Sequence, residues 1–426
     1  MSAKTNRMIA RLRAPLVVAA GALALRLLCG VGFANYDTLY ALVWGGQLSR
    51  GETPAYGTPI APTPHPLVEI LGVILSPFSA RTIENVTIAL GFLALSGCGL
   101  VVYRLGREWF NRPVGLFAAL ILLTRTPVLS YGTRAYIDVP YLLLVLWALL
   151  IETRKPRAGA PVLALLALAG LLRPEAWFFS GLYWLYLNGF TPRWAYRSAR
   201  EHSLHTREVT GWKPPTRREM LGTALLVFAA PLFWLASDLL VTGSPVWSLT
   251  NTRHTAETLD RATGIGNVPE YIPRRIGEIL RPPVLVGAAI GGVLSLAWLR
   301  QRARPGAIVG VAAVVVFAVL ASVGLPINSR YAFLAATILA IFCGVGAFGW
   351  MLLEAGDPRR LRWMLAGGAV LLAFIAFIPS QYREVKSQLQ ALNRQQRIQN
   401  ELLALVDGSS ITLRCGPVEV TNHAPI

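Results

Sequence analysis

Charge is scarce in this chain. Of its 426 residues, 15% are Asp, Glu, Lys or Arg while 54% are hydrophobic, and the mean hydropathy is +0.50. Soluble globular domains carry about 25% charged residues, so an ordinary soluble fold is excluded. Cysteine is nearly absent: Cys29, Cys98 and Cys343 lie inside apolar runs, and Cys415 sits in a polar segment. Neither a disulfide framework nor a C-x-x-C metal knuckle can be assembled from them. No P-loop occurs, and no G-x-G-x-x-G stands in a strand-to-helix context, which argues against chemistry driven by ATP or NAD. Acidic residues are few as well, 22 against 40 basic, for a net charge of +18.

What the chain has instead is a series of apolar runs near bilayer-spanning length. Candidate spans fall at approximately 15–33, 84–103, 113–131, 137–152, 158–172, 174–190, 220–241, 282–299, 305–326, 331–353 and 363–379. The predicted fold is all-α, a polytopic membrane protein of about eleven transmembrane helices with helical outer loops. Segment 66–79, which carries Glu69, is short for a crossing and reads as an interfacial or re-entrant helix. The basic start, MSAKTNRMIARLRAP, leads into an apolar run longer than a usual signal-peptide core and reads as an uncleaved first span. With the N-terminus inside, cytoplasmic segments hold 23 Lys and Arg and outer segments 16, the bias of the positive-inside rule. The basicity is therefore mostly topogenic, and no nucleic-acid partner is needed. The expected division is a transmembrane domain over 1–379, with outer loops at 34–83 and 242–281 and an outer C-terminal tail at 380–426. That tail opens with an amphipathic, Gln-rich helix and continues as a strand-like SSITLRC.

Ionisable groups at membrane depth are costly to bury and default to functional candidates. Here Asp37, Arg125, Arg134, Asp138, Arg173, Glu175 and Arg330 all fall at the outer ends of spans, joined by His65 and Glu69 in the first loop. Asp37 has Tyr36, Tyr40 and Tyr56 nearby, and the loop then runs through Gly/Pro turns to His65. Bland readings stand beside each. Asp37 and Asp138 are plausible helix N-caps, Arg134 a partner for Asp138, and Arg173–Glu175 a structural ion pair at a Pro174 helix break. Together they fit glycosyl transfer from a phosphate donor. Asp37, with its pKa moderately raised, would take the proton from an acceptor hydroxyl, and arginines would stabilise the departing phosphate. A site facing outward has no direct access to nucleotide sugars, so a lipid-phosphate sugar is the consistent donor. A transporter or lipid flippase is the rival class, and it would place its ionisable groups near the bilayer midplane.

The order of these motifs resembles the GT-C superfamily of polyprenyl-phosphate-dependent glycosyltransferases, which includes protein O-mannosyltransferases and the aminoarabinose transferases of lipid A. The likeness covers most of residues 10–350. It rests on Asp37 in NYDTLYAL after the first span, Pro64-His65-Pro66-Leu67, Asp138 in YIDVPYLLL, the tip from Gly170 to Glu175, and Arg330-Tyr331. The resemblance implies Asp37 as catalytic base and Asp138 as its helper or a metal ligand. It implies Tyr36, Tyr40, His65, Arg134, Arg173, Glu175, Arg330 and Tyr331 as substrate- or phosphate-binding residues. It leaves open a divalent metal on Asp37, His65 and Asp138. Relatives often carry paired acids in the first loop, whereas Asn35 and Tyr36 precede a single Asp37 here. The implied partners are a polyprenyl-phosphate-linked sugar, a cell-envelope acceptor and the lipid bilayer, with the site on the outer face of the cytoplasmic membrane.

Overall fold

A computed structural model describes residues 3–58, 60–189 and 216–407. Every regular element among them is helical. The expected strand-like SSITLRC and most of the basic segment 193–218 lie outside the described residues. In chain order the helices are α1 (Ala3–Cys29), α2 (Tyr36–Ser49), α3 (Pro66–Leu75), α4 (Ala80–Trp109) and α5 (Arg112–Thr124). They continue with α6 (Thr126–Thr133), α7 (Asp138–Arg154), α8 (Ala160–Gly170), α9 (Glu175–Leu187) and α10 (Arg217–Thr242). The last five are α11 (Trp247–Thr258), α12 (Val268–Trp298), α13 (Arg300–Ser322), α14 (Phe333–Phe348) and α15 (Pro358–Asp407).

Helices occupy all eleven expected segments, but they do not all reach spanning length. Among the described residues six are long and apolar enough to cross a membrane, carried by α4, α10, α12, α13, α14 and α15. The pair α5–α6, bent by 65° at Arg125, makes a seventh if read as one broken span. The chain is a multi-pass membrane protein, with α8 and α9 as a short hairpin whose turn runs from Leu171 to Pro174.

Glycine sets the closest approaches. A Cβ on Gly291 of α12 would lie 1.9 Å from the Phe342 carbonyl of α14, and one on Gly346 would lie 2.3 Å from Gly287 O. That contact makes α14 the most enclosed helix, with nearly every residue from Phe333 to Ala347 buried. α2 crosses α3 at Gly45 and Gly72, where a Cβ on Gly45 would meet Glu69 O at 2.2 Å. The kink in α12 falls at Arg281 (φ 67°), immediately before Pro282 and Pro283. Those rings remove two backbone donors and force the helix to break.

Candidate active site

The mount of the site is a stretch of extended backbone. The chain leaves α1 through Gly30, whose φ of 68° glycine adopts without strain, and pairs with the turn after α6. Phe33 N–H donates to Thr133 O (3.2 Å) and Asn35 N–H to Arg134 O (3.0 Å). Asn35 then caps α2: its oxygen accepts from Thr38 N–H (3.3 Å), and its amide donates to Thr38 Oγ1 (2.8 Å) and Arg134 O (3.1 Å). Thr38 Oγ1 in turn donates to Ala135 O (2.9 Å). Asn35, not Asp37, is therefore the N-cap. Asp37 sits in the first turn with its carboxylate left for other partners.

Its partner, and the charges behind that partner, come from distant parts of the chain. Arg330, in the turn before α14, donates through Nη1 to Asp37 Oδ2 at 2.7 Å and stands 3.9 Å from Asp138 Oδ2. Arg173, at the tip of the α8–α9 hairpin, pairs with Asp138 Oδ1 and with Glu175 Oε1, the latter at 2.8–2.9 Å. The ring of Tyr331 lies 4.3 Å from the Arg173 guanidinium and 5.8 Å from that of Arg330, and Tyr141 lies 5.9 Å from Arg173. Asp138 is at the first helical position of α7 behind Ile137 and makes no cap, so its acid is spent on the ion pair. Three carboxylates thus face two guanidiniums. Asp138 Oδ2, Glu175 Oε2 and Arg330 Nε are buried without a hydrogen bond among the described residues. Beside them a crevice lined by Tyr141, Glu175, Phe179, Phe317, Arg330 and Tyr331 opens among apolar side chains.

Burial alone would push the Asp37 carboxyl up, but the Arg330 guanidinium beside it prevails and holds it below its ordinary value. The raised pKa expected for a base is therefore corrected: in the resting protein Asp37 is a paired carboxylate. Burial, with Arg173 and Arg330 close by, pushes the His65 imidazole down to about 3. The ring is accordingly neutral. Its Nδ1 lies 3.0 Å from Leu172 O, and because a carbonyl only accepts, that nitrogen carries the proton and Nε2 the lone pair.

The remaining candidates divide. Tyr36 donates to Ile60 O (2.9 Å) and packs on Tyr40 (4.7 Å between centroids), which continues onto Trp44 (5.4 Å). Trp44 is fully buried, so it is packing and offers no face to a sugar. Arg134 does not pair with Asp138. Its Nε donates to Ser130 O (3.4 Å) and its guanidinium lies over Tyr136 (4.8 Å) and Tyr131 (5.6 Å). Arg125 does not join the cluster either. It is buried at the α5–α6 break and donates to Leu280 O (3.2 Å), satisfying the carbonyl freed by the α12 kink. Asp37, His65 and Asp138 form no metal-holding group; no set of three or more His, Cys, Asp or Glu among the described residues does. Sequence reasoning passed over Tyr141, although it lies three residues beyond Asp138 and so on the same helix face. It also gave no role to Glu69, whose Oε2 accepts from Tyr56 Oη at 2.7 Å while Oε1 is buried without a partner.

No protein-family model matches the sequence, and neither does any curated protein. Solved structures do show a likeness. The chain is similar to the archaeal oligosaccharyltransferase AglB from Archaeoglobus fulgidus, in complex with an inhibitory peptide and a dolichol-phosphate, at 14% identity and a TM-score of 0.48. It is also similar to ArnT from Cupriavidus metallidurans bound to undecaprenyl phosphate, at 14% identity and a TM-score of 0.46. The aligned region covers 90% of this chain and 56% of AglB, and 92% of this chain and 74% of ArnT. The chain thus spans little more than half the length of the oligosaccharyltransferase. Superpositions of this quality leave the chemistry of the site to its own residues.

Proposed function

We propose that the protein is a membrane glycosyltransferase that moves a sugar from a polyprenyl-phosphate donor to a hydroxyl of a cell-envelope acceptor, on the outer face of the cytoplasmic membrane and with inversion. The observation that carries this reading is the Asp37–Arg330 ion pair with Asp138 at its back, built from residues 293 positions apart in the chain. A half-buried carboxylate and a half-buried guanidinium held together at the end of a membrane bundle supply the two groups that the reaction needs. Donor phosphate entering beside Tyr331 competes with Asp37 for Arg330, because phosphate oxygens match the guanidinium fork. Losing its cation raises the basicity of Asp37 as the substrate arrives. The carboxylate then accepts the proton of the acceptor hydroxyl while that oxygen attacks the anomeric carbon. The bond from that carbon to the phosphate oxygen breaks, and Arg330 and Arg134 balance the charge left on the polyprenyl phosphate. Arg173 is too committed to Asp138 and Glu175 to bind phosphate as well. It is assigned to holding Asp138 behind Arg330, while Tyr331 and His65 line the donor side.

The test is transfer of label from radiolabelled polyprenyl-phosphate sugars in a lipid extract, comparing the wild type with Asp37→Asn. Removing a general base costs about 10²–10⁴-fold in rate, so label should move in the wild type and nearly stop in the variant. Equal transfer by both proteins removes Asp37 from the base role.

A further inference from the structure

The outer half of α15 does not end where its apolar part ends. It runs on past Pro379 as unbroken helix to Asp407, and its inward face is marked by glutamines. Gln381 Nε2 donates to Thr124 O (3.1 Å) and Thr126 Oγ1 (3.2 Å), Gln388 Nε2 to Ser130 Oγ (3.2 Å), and Gln396 Nε2 to Gly32 O (2.9 Å). Spacings of seven and eight residues place all three on one side of a helix. Leu392, between the last two, is buried. The recipients of Gln388 and Gln396 are the two segments on which α2 is mounted: Ser130 belongs to α6, whose end and following turn hold Phe33, Asn35 and Thr38 through the carbonyls of Thr133, Arg134 and Ala135, and Gly32 directly precedes Phe33. Gly32 is itself wedged, since a Cβ there would meet Ile88 at 2.9 Å and Phe92 at 3.2 Å. A neutral amide suits this place, because it satisfies a carbonyl without burying a charge.

We infer that Gln396, with Gln388 before it, is a positioning residue for Asp37: α15 is a brace whose amides fix the backbone from which the first turn of α2 projects. The kinetic part of the test rests on the proposed transferase reading; the exchange part does not. In the full-length protein, Gln396→Leu keeps the volume and removes the donor, Gln396→Asn shortens its reach, and Gln390→Ala on the exposed side is the control. Hydrogen exchange of the amides from Phe33 to Leu39 should quicken about fivefold in both Gln396 variants, the ratio expected for one lost hydrogen bond. Exchange in α4 and α14 should not change. Where the wild type transfers sugar, kcat should fall with the donor KM unchanged, and Gln390→Ala should match the wild type. Unchanged exchange at 33–39 overturns the inference, and so does protection lost equally throughout the chain, which would make Gln396 a general stability residue. A wild type without transfer activity defeats the transferase reading and leaves the exchange result to decide the brace.

Discussion

At the scale of single residues the site is a set of buried and half-buried charges that neutralise one another, and removing one strands its partners. Arg173→Ala leaves Asp138 and Glu175 both buried, at 1% and 4% exposure, without their shared cation. Breaking a buried pair from one side costs about 3–5 kcal/mol, so the variant should be strongly destabilised in thermal unfolding. The triple change Arg173→Met, Asp138→Asn, Glu175→Gln should recover much of that stability while staying inactive. Failure to recover stability would show that the ion pairs are not what holds the hairpin tip. Arg330→Gln probes the other pairing. Without the guanidinium the Asp37 carboxyl rises from its depressed value. The acid limb of the pH–rate profile should then move to higher pH in addition to any loss in kcat, and a limb that stays in place excludes Asp37 as its source. The sequence marked these residues well, since charges at the ends of apolar runs are conspicuous. It did not reveal their partners. Arg134 lies four residues from Asp138 and stacks on tyrosines instead, whereas Arg173 reaches Asp138 across 35 residues, because the tip of one hairpin packs against the start of another helix. Arg125 looked identical to Arg330 in one dimension and serves a helix kink 155 residues away.

At the scale of elements, the position of Asp37 depends on α2 crossing α3 and on the cap at Asn35. Gly45→Ala would drive a methyl to 2.2 Å from Glu69 O, and Gly72→Ala would bring one to 2.6 Å from Leu42 O. Both neighbours are backbone and cannot step aside, so the two helices must separate. Each substitution should lower the melting temperature and reduce transfer together, whereas Gly46→Ala, whose methyl would meet only the end of the flexible Arg50 side chain at 3.6 Å, should do neither. Asn35→Ala removes a cap and a tie to Arg134 O, a loss of roughly 1–2 kcal/mol. Helix existence was legible from apolar periodicity, and residues 66–79, short for a crossing in the sequence, hold the ten-residue α3. Helix length was less so. Segments 137–152, 158–172 and 174–190 form helices of 17, 11 and 13 residues. Apolar composition marks where a helix lies but not where a proline or glycine ends it, and Pro174 divides α8 from α9. The Gln-rich helix after residue 380 was legible as amphipathic. Its continuity with the last apolar helix, and the backbone its amides grip, needed three dimensions.

At the scale of the whole molecule, buried titratable groups tie stability to pH, and two of them pull in opposite directions. His65 is held near 3 in the fold and titrates near 6.5 unfolded. Its contribution is intact above about 6.5 and declines as pH falls, because only the unfolded chain then takes up the proton. Asp37, also depressed, adds to that loss at lower pH. Burial pushes Glu69 the other way, up to about 7, against roughly 4.3 in an unfolded chain. A raised carboxyl favours the folded state while protonated, so its contribution is full below about 4 and is lost as pH rises through 7. Glu69 is 3% exposed and its Oε1 has no partner, so the ionised form at pH 8 costs about 2–4 kcal/mol. Glu69→Gln keeps the shape and an oxygen for Tyr56 and cannot ionise. Its melting temperature should exceed that of the wild type at pH 8, and the gap should close by pH 5, where the wild-type carboxyl is already neutral. A variant less stable than the wild type at pH 8 would mean that Glu69 is ionised and paired in the folded protein, and that the Tyr56 bond has been read with the wrong protonation state.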